Sequence, residues 1–383
     1  MHAKYLSLLI ALASVFTPAL GQDQSTKIES IRAYYLTASK FERDGDWSAA
    51  ENAWRHVLTL DDKDARAWTN LGVALNRQNK TNEALEAWRK AIELDPKLPG
   101  PHFNTGLTLT RQGDYTSAVS SLRKAISMES SNDGARRALA VALIGMQRFQ
   151  EASREIAQLL FRFPEDAALL ELASESFMRQ RRYVEGAITL ERRLKLPKQT
   201  SFLWAQYGDA LDGSGRTTEA VEAYRKAVEM DPESTLLRYG LGYLYWKLYR
   251  YDDAERELLE VLRAAPKDPR ASFTLGDLYL TRGDAQRALP LLEAAREGYP
   301  NEFDTRFALG RALLITGNTD GGIAELRAAV KLDETIADGH FHLGRALMKA
   351  GLQEEAKVEL DIAKKLHDKR RDAESERFRK KLP

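Results

Sequence analysis

The chain has 383 residues, 57 Lys and Arg against 56 Asp and Glu, and no cysteine. A net charge of +1 on a chain in which 30% of residues are charged excludes polyanion binding through bulk charge, so no nucleic-acid partner is expected. Without cysteine there is no disulfide, no thiolate metal site and no lipid-modified cysteine anchor.

Residues 1–21 read as an export signal. Lys4 supplies a positive start, Leu6 to Phe16 is an apolar run, Pro18 breaks it, and Ala19-Leu20-Gly21 places small residues at both positions a signal peptidase reads. The apolar core is about eleven residues, short of the ~20 that cross a bilayer. Cleavage after Gly21 is expected to leave a mature chain starting at Gln22, with no integral membrane segment. The expected route is Sec-type and the location periplasmic or extracellular. Residues 22–30 are a short lead-in.

From Ile31 a 34-residue pattern takes over, stated most fully by Ala65 to Leu98, ARAWTNLGVALNRQNKTNEALEAWRKAIELDPKL. With Ala65 at position 1, Trp68, Leu71, Gly72 and Leu75 fall at 4, 7, 8 and 11, one stripe of an amphipathic helix. Ala84, Trp88 and Ala91 at 20, 24 and 27 form the stripe of a second helix. Pro96 at 32 follows it, where a fixed φ and a missing N–H prevent continuation. Copies start at Ile31, Ala65, Pro99, Asp133, Ala167, Ser201, Thr235, Pro269, Phe303 and Ala337. Position 8 is Gly, Ala or Ser in every copy and position 20 is Gly or Ala, so two helix backbones approach closely there.

This pattern resembles the tetratricopeptide repeat, a helix–turn–helix unit of the same length. The resemblance implies an all-α fold, a right-handed α-solenoid (superhelix) of about ten antiparallel helix pairs over residues 31–370. It would be one elongated domain in which each pair buries its face on the next, closed by a C-terminal capping helix. Residues 371–383 form a basic tail. The fifth copy is the least regular. Arg193 takes the small position 27, Leu196-Pro197-Lys198 puts the proline one residue early, and a local change of superhelical twist is expected near residues 193–201.

No catalytic constellation emerges. The histidines are His2, His56, His102, His340, His342 and His367. Only His340 and His342 are close in sequence, and two residues apart on a helix they point about 200° apart. Metalloprotease, nucleophile-elbow and phosphate-loop motifs are missing, and Gly213 and Gly215 read as helix caps. The chain is read as a non-enzyme without cofactor or metal.

Function is therefore expected on a surface. The resemblance implies that positions 2, 5, 9, 12 and 13 of each first helix line a concave groove. In the last four copies position 5 reads Tyr239, Phe273, Phe307 and Phe341, and position 9 reads Tyr243, Asp277, Arg311 and Arg345. With Trp246 at position 12, these residues are the candidate partner-binding groove, suited to an extended peptide carrying acidic and apolar side chains. The competing reading is that the aromatics only pack between repeats and that the arginines pair with Asp277 or other carboxylates. A second patch comprises Arg43, Arg77 and Arg111 at position 13 with Asn70 and Asn104 at position 6, although a cation in the last turn also answers the helix dipole. The family's chaperone-tail clamp is not matched, because positions 5 and 9 carry Tyr35 and Ser39, or Thr69 and Val73, where Lys and Asn are needed. The expected function is an exported, non-catalytic scaffold for protein–protein interaction. The alternative is a cell-envelope assembly, secretion or polysaccharide-export accessory protein, with a polysaccharide as ligand.

Overall fold

A computed structural model describes residues 3–379, with side chains over residues 24–376. The expected export signal lies outside the residues whose side chains are described. All regular structure among the described residues is α-helical, in twenty helices. They are α1 (Ala3–Asp44), α2 (Trp47–Leu60), α3 (Ala65–Arg77), α4 (Thr81–Leu94), α5 (Pro99–Gln112), α6 (Tyr115–Met128), α7 (Asp133–Gly145), α8 (Phe149–Arg162), α9 (Ala167–Arg179) and α10 (Tyr183–Leu194). There follow α11 (Ser201–Gly213), α12 (Thr217–Met230), α13 (Thr235–Lys247), α14 (Tyr251–Ala264), α15 (Pro269–Thr281), α16 (Ala285–Gly298), α17 (Phe303–Ile315), α18 (Thr319–Leu332), α19 (Ala337–Lys349) and α20 (Gln353–Arg379). From the second copy onward, the first helix begins at position 1 of its repeat. Among the described residues no helix is long and apolar enough to cross a membrane.

Each boundary has a local cause. The residue before each first helix accepts hydrogen bonds from the opening N–H groups in most copies, as Asp64 does from Arg66 and Ala67, and Asp166 from Leu169. Each first helix ends in a left-handed residue at position 15. This is glycine in six copies and Asn79, Gln147, Arg181 or Tyr249 in the others. The N–H of position 16 then bonds the carbonyl of position 11, for example Lys80 to Leu75 and Arg182 to Phe177, which is the Schellman closure.

Within a pair, position 8 meets position 24. A Cβ on Gly106 would stand 2.5 Å from Leu122, and one on Gly276 2.8 Å from Leu292. Between pairs, two further columns are buried. Position 3 (Ala67, Pro101, Ala135, Leu169) and position 10 (Ala74, Thr108, Ala142, Ser176) face the preceding repeat in the first unit. Ser176 shows the contact directly, its hydroxyl donating to the Phe149 carbonyl at 2.7 Å. Trp68 is only half-buried, at the edge of the core that Leu71, Leu75 and Trp88 fill.

The chain divides into two compact units, Met1–Arg193 and Leu194–Pro383. The division falls inside the fifth copy. Arg193, on a column that is Ala, Val or Leu in the other copies, is buried and its Nε donates to Glu171 at 2.6 Å. Lys198, beside the early proline, is left-handed with φ 60°. In the second unit, α20 replaces the expected separate capping helix. The second helix of the tenth copy runs on for 27 residues, burying Ala356 and Ala363 and leaving residues 369–376 exposed. Their charges are partly answered within the helix, as by Arg371 and Asp368 at 3.1 Å. Arg377 and Arg379 have side chains outside the described residues.

Candidate functional site

In the second unit, α13, α15, α17 and α19 carry the predicted groove residues. Tyr239, Tyr243 and Trp246 recur at i, i+4 and i+7 on α13 and form a run of rings, with centroids 6.3 Å apart for Tyr239 and Tyr243 and 5.5 Å for Tyr243 and Trp246. A helix apolar nearly all round, as α13 is, would be expected to bury both faces. Instead Tyr243 is 37% exposed and Leu236, at position 2, 58% exposed. Tyr239 is committed to the next repeat: Arg270 lies 4.8 Å over its ring. For this residue the packing role is realised.

Trp246 links α13 to α15, its Nε1 donating to Asp277 at 3.2 Å. Burial among the flanking helices pushes the Asp277 carboxyl above its usual range, while the Trp246 bond and the charge of Arg311 pull the other way. Phe273 makes no ring–ring contact among the described residues.

A second ring cluster spans α17 and α19. Phe303 stacks on Phe307 at 5.4 Å, and His342 meets Phe307 edge-on at 5.2 Å and Phe341 at 5.7 Å. Arg311 lies over Phe307 at 5.6 Å and Arg345 over Phe341 at 5.7 Å, a cation–π arrangement. Among the described residues neither guanidinium has a carboxylate within ion-pair distance. Neither arginine is ion-paired with Asp277, although the charge of Arg311 acts on its carboxyl. Phe303 and His342 belong to this cluster and were not singled out from the sequence. His342 had been weighed only as a metal ligand with His340, which points elsewhere: His340 is buried between Glu359 (2.6 Å from Nδ1) and the Glu334 carbonyl (3.0 Å from Nε2). Among the described residues no three His, Asp or Glu side chains gather to hold a metal.

In the first unit, Arg43, Arg77 and Arg111 occupy the last turns of α1, α3 and α5 and are exposed. Arg77 lies 5.3 Å over Trp47. Asn70 and Asn104 are half-buried on α3 and α5. Position 5 here is structural: Tyr35 donates to Asp64 at 2.5 Å and Arg137 to Asp166 at 2.8 Å, tying each helix to the N-cap of the next repeat.

Comparison with known proteins adds relatives. The chain is 29% identical over 84 residues to cellulose synthase operon protein C of Salmonella typhimurium, 22% of this chain and 7% of that protein. It is 39% identical over 75 residues to BBSome complex member BBS4 of Bos taurus, 20% of this chain and 14% of that one. The chain therefore spans a small fraction of these curated relatives. Among solved structures, MamA from Desulfovibrio magneticus is 22% identical with a TM-score of 0.42, covering 45% of this chain and 98% of that one. Family models described as tetratricopeptide repeat match residues 65–98, 109–175, 213–274, 273–336 and 307–362. With more than half of its length so matched, in the register that the helices follow, the chain belongs to the tetratricopeptide repeat family.

Proposed function

We propose that the chain is an exported, non-catalytic scaffold that binds an extended protein segment along the face of α13, α15, α17 and α19. The observation that carries this reading is the pairing of aromatic rings, half-buried at Phe307 and exposed at Phe341, with Arg311 and Arg345, neither of which has a carboxylate within ion-pair distance among the described residues. Phe341 is 39% exposed and Tyr243 37%, which leaves ring surface available to a partner. Rings supply apolar area at low entropy cost and guanidinium groups supply directional hydrogen bonds, a combination enriched where binding energy concentrates. Recognition would be spread over several repeats. The patch of Arg43, Asn70, Arg77, Asn104 and Arg111 in the first unit is proposed as a separate, weaker contact surface.

A second reading, an accessory role in cell-envelope assembly, secretion or polysaccharide export, is favoured by the similarity to a protein named for a cellulose synthase operon. The same aromatics would then stack on sugar rings.

The test is an affinity capture with residues 22–383 from envelope and secreted fractions, beside a Phe273→Ala, Phe307→Ala, Arg311→Ala variant of confirmed helicity. Loss of a captured protein with the variant supports the reading. Retention by both chains overturns the assignment of this face. Parallel screening of oligosaccharides and peptides separates the two readings.

A further inference from the structure

Three cationic or titratable side chains on α17 and α19 share two aromatic rings. Arg311 and His342 both rest against Phe307, and His342 and Arg345 both rest against Phe341. The rings thus act as a common floor from which two guanidinium groups and one imidazole rise. The charged groups acting on His342 are Arg311 from α17 and Arg345 and Asp338 from its own helix. Asp338 is the one acid among them, exposed and 3.8 Å from His367 of α20. Of the other carboxylates of this region, Glu325 lies between Arg296 and Arg306, Glu359 pairs with His340, and Asp277 accepts from Trp246 while feeling the charges of both Arg311 and the exposed Asp304.

We propose that Arg311, His342 and Arg345 form an anion subsite that receives an acidic side chain of an extended partner segment, with an adjacent apolar side chain lying on Phe307 and Phe341. This deepens the proposed function and rests on it. Charge complementarity selects the occupant. Two unneutralised guanidinium groups beside apolar rings favour a carboxylate flanked by an aromatic or aliphatic group, and disfavour basic segments. A neutral glycan would leave both guanidinium groups without an anion.

The subsite carries its own reporter. Burial and the two arginines hold the His342 imidazole below its ordinary range in the free chain. A bound carboxylate acts in the opposite direction, so His342 takes up a proton on binding over the interval between the free and bound values. Affinity is then highest below the free value, falls through the interval as pH rises, and levels off above it. Each pKa unit of difference corresponds to about tenfold in affinity.

The test is a random peptide library displayed on phage and panned on the full chain at pH 5.5, followed by binding of the selected synthetic peptides between pH 5 and 8. The proposal expects peptides with Asp or Glu next to aromatic or aliphatic residues. Arg311→Ala or Arg345→Ala should weaken them about tenfold, as for loss of one charge-assisted contact. His342→Phe, which keeps a ring against Phe307 and Phe341, should flatten the pH profile. Peptides that depend on Phe273 and Phe307 but are not acidic, or bind with no slope attributable to His342, overturn the subsite and leave the groove assignment standing. Peptides indifferent to Phe273→Ala and Phe307→Ala overturn both. Polygalacturonate that outcompetes every selected peptide with the same Arg311 dependence reassigns the subsite from protein to an acidic glycan.

Discussion

The indole of Trp88 lies across Gly72, where a Cβ would stand 2.3 Å from its Nε1, and this places the Nε1–H on the Thr69 carbonyl at 3.0 Å. The small residue at position 8 therefore does more than let two helices approach: it leaves room for a buried polar contact across the pair. Gly72→Ala must displace the indole and strand that donor. The expected cost is about 2–3 kcal/mol, overpacking plus an unmade buried hydrogen bond. Gly242→Ala, where the nearest atom is Leu258 Cγ at 3.0 Å, should cost less. Urea unfolding of both variants followed by circular dichroism checks the order.

Position 15 supports a second prediction. Left-handed backbone costs an L-residue ~1–2 kcal/mol, and Gln147, Arg181 and Tyr249 all adopt it, with φ of 59°, 55° and 59°. Allowing for the unfolded-state entropy of glycine, Arg181→Gly should stabilise by about 1 kcal/mol. The reverse change, Gly283→Ala, should destabilise by a similar amount, although open space surrounds that Cβ position and no contact is lost. Thermal melts of the two variants should move in opposite directions.

What the sequence made legible follows from how strictly each position is constrained. The 34-residue register and the small residues at positions 8 and 20 are visible because a large side chain there would collide with backbone, as at Gly310, whose Cβ would stand 3.1 Å from the Gly322 carbonyl. Positions 3 and 10 are as buried, yet Pro101, Thr108, Ser176 and Thr305 on them break the apolar pattern: Ser176 bonds the Phe149 carbonyl of the preceding repeat, whereas the Thr305 hydroxyl is buried without a partner among the described residues. The shared turn at position 15 was hidden because four copies adopt it without glycine. Arg193 looked like a defect at a small position and is instead a buried partner of Glu171, a pairing between helices that periodicity cannot reveal. The aromatic ladder was legible as a column. Its division into a Tyr239-Tyr243-Trp246 run and a Phe303-Phe307-His342-Phe341 cluster depends on side-chain direction across repeats.

Positions 4 and 23 behave as an exchangeable pair. Arg136 bonds Glu155 at 2.5 Å and Arg306 bonds Glu325 at 2.7 Å, while where position 4 is Trp68 or Trp204, position 23 is Ala87 or Ala223. Arg136, Arg306 and Trp68 at position 4 also donate to a carbonyl six residues back, of Ser130, Pro300 and Asp62. Glu155→Ala alone leaves the largely buried Arg136 without its anion and should cost about 1–2 kcal/mol. Arg136→Trp combined with Glu155→Ala should recover most of it. A double-mutant cycle gives the coupling directly; additivity of the two changes would show that the pair is not a unit.

Acid should loosen the first unit through Glu51. This buried carboxylate on α2 accepts from Gln78 at 2.9 Å and pairs with Lys80 at 2.7 Å and Arg55 at 2.8 Å, joining α2 to the following repeat. Burial acts to raise its pKa, but the bonds from Lys80, Arg55 and Gln78 prevail and hold it below the usual carboxylate range. A depressed folded-state pKa contributes stability that is present above the unfolded value and is lost as pH falls through the folded one. Glu51→Gln should therefore destabilise the chain at pH 7 and lose much of that effect at an acid pH low enough to protonate wild-type Glu51. Urea titrations of both chains at the two pH values decide it. An equal difference at both would mean that Glu51 acts through packing or hydrogen bonding alone, with no share carried by its charge.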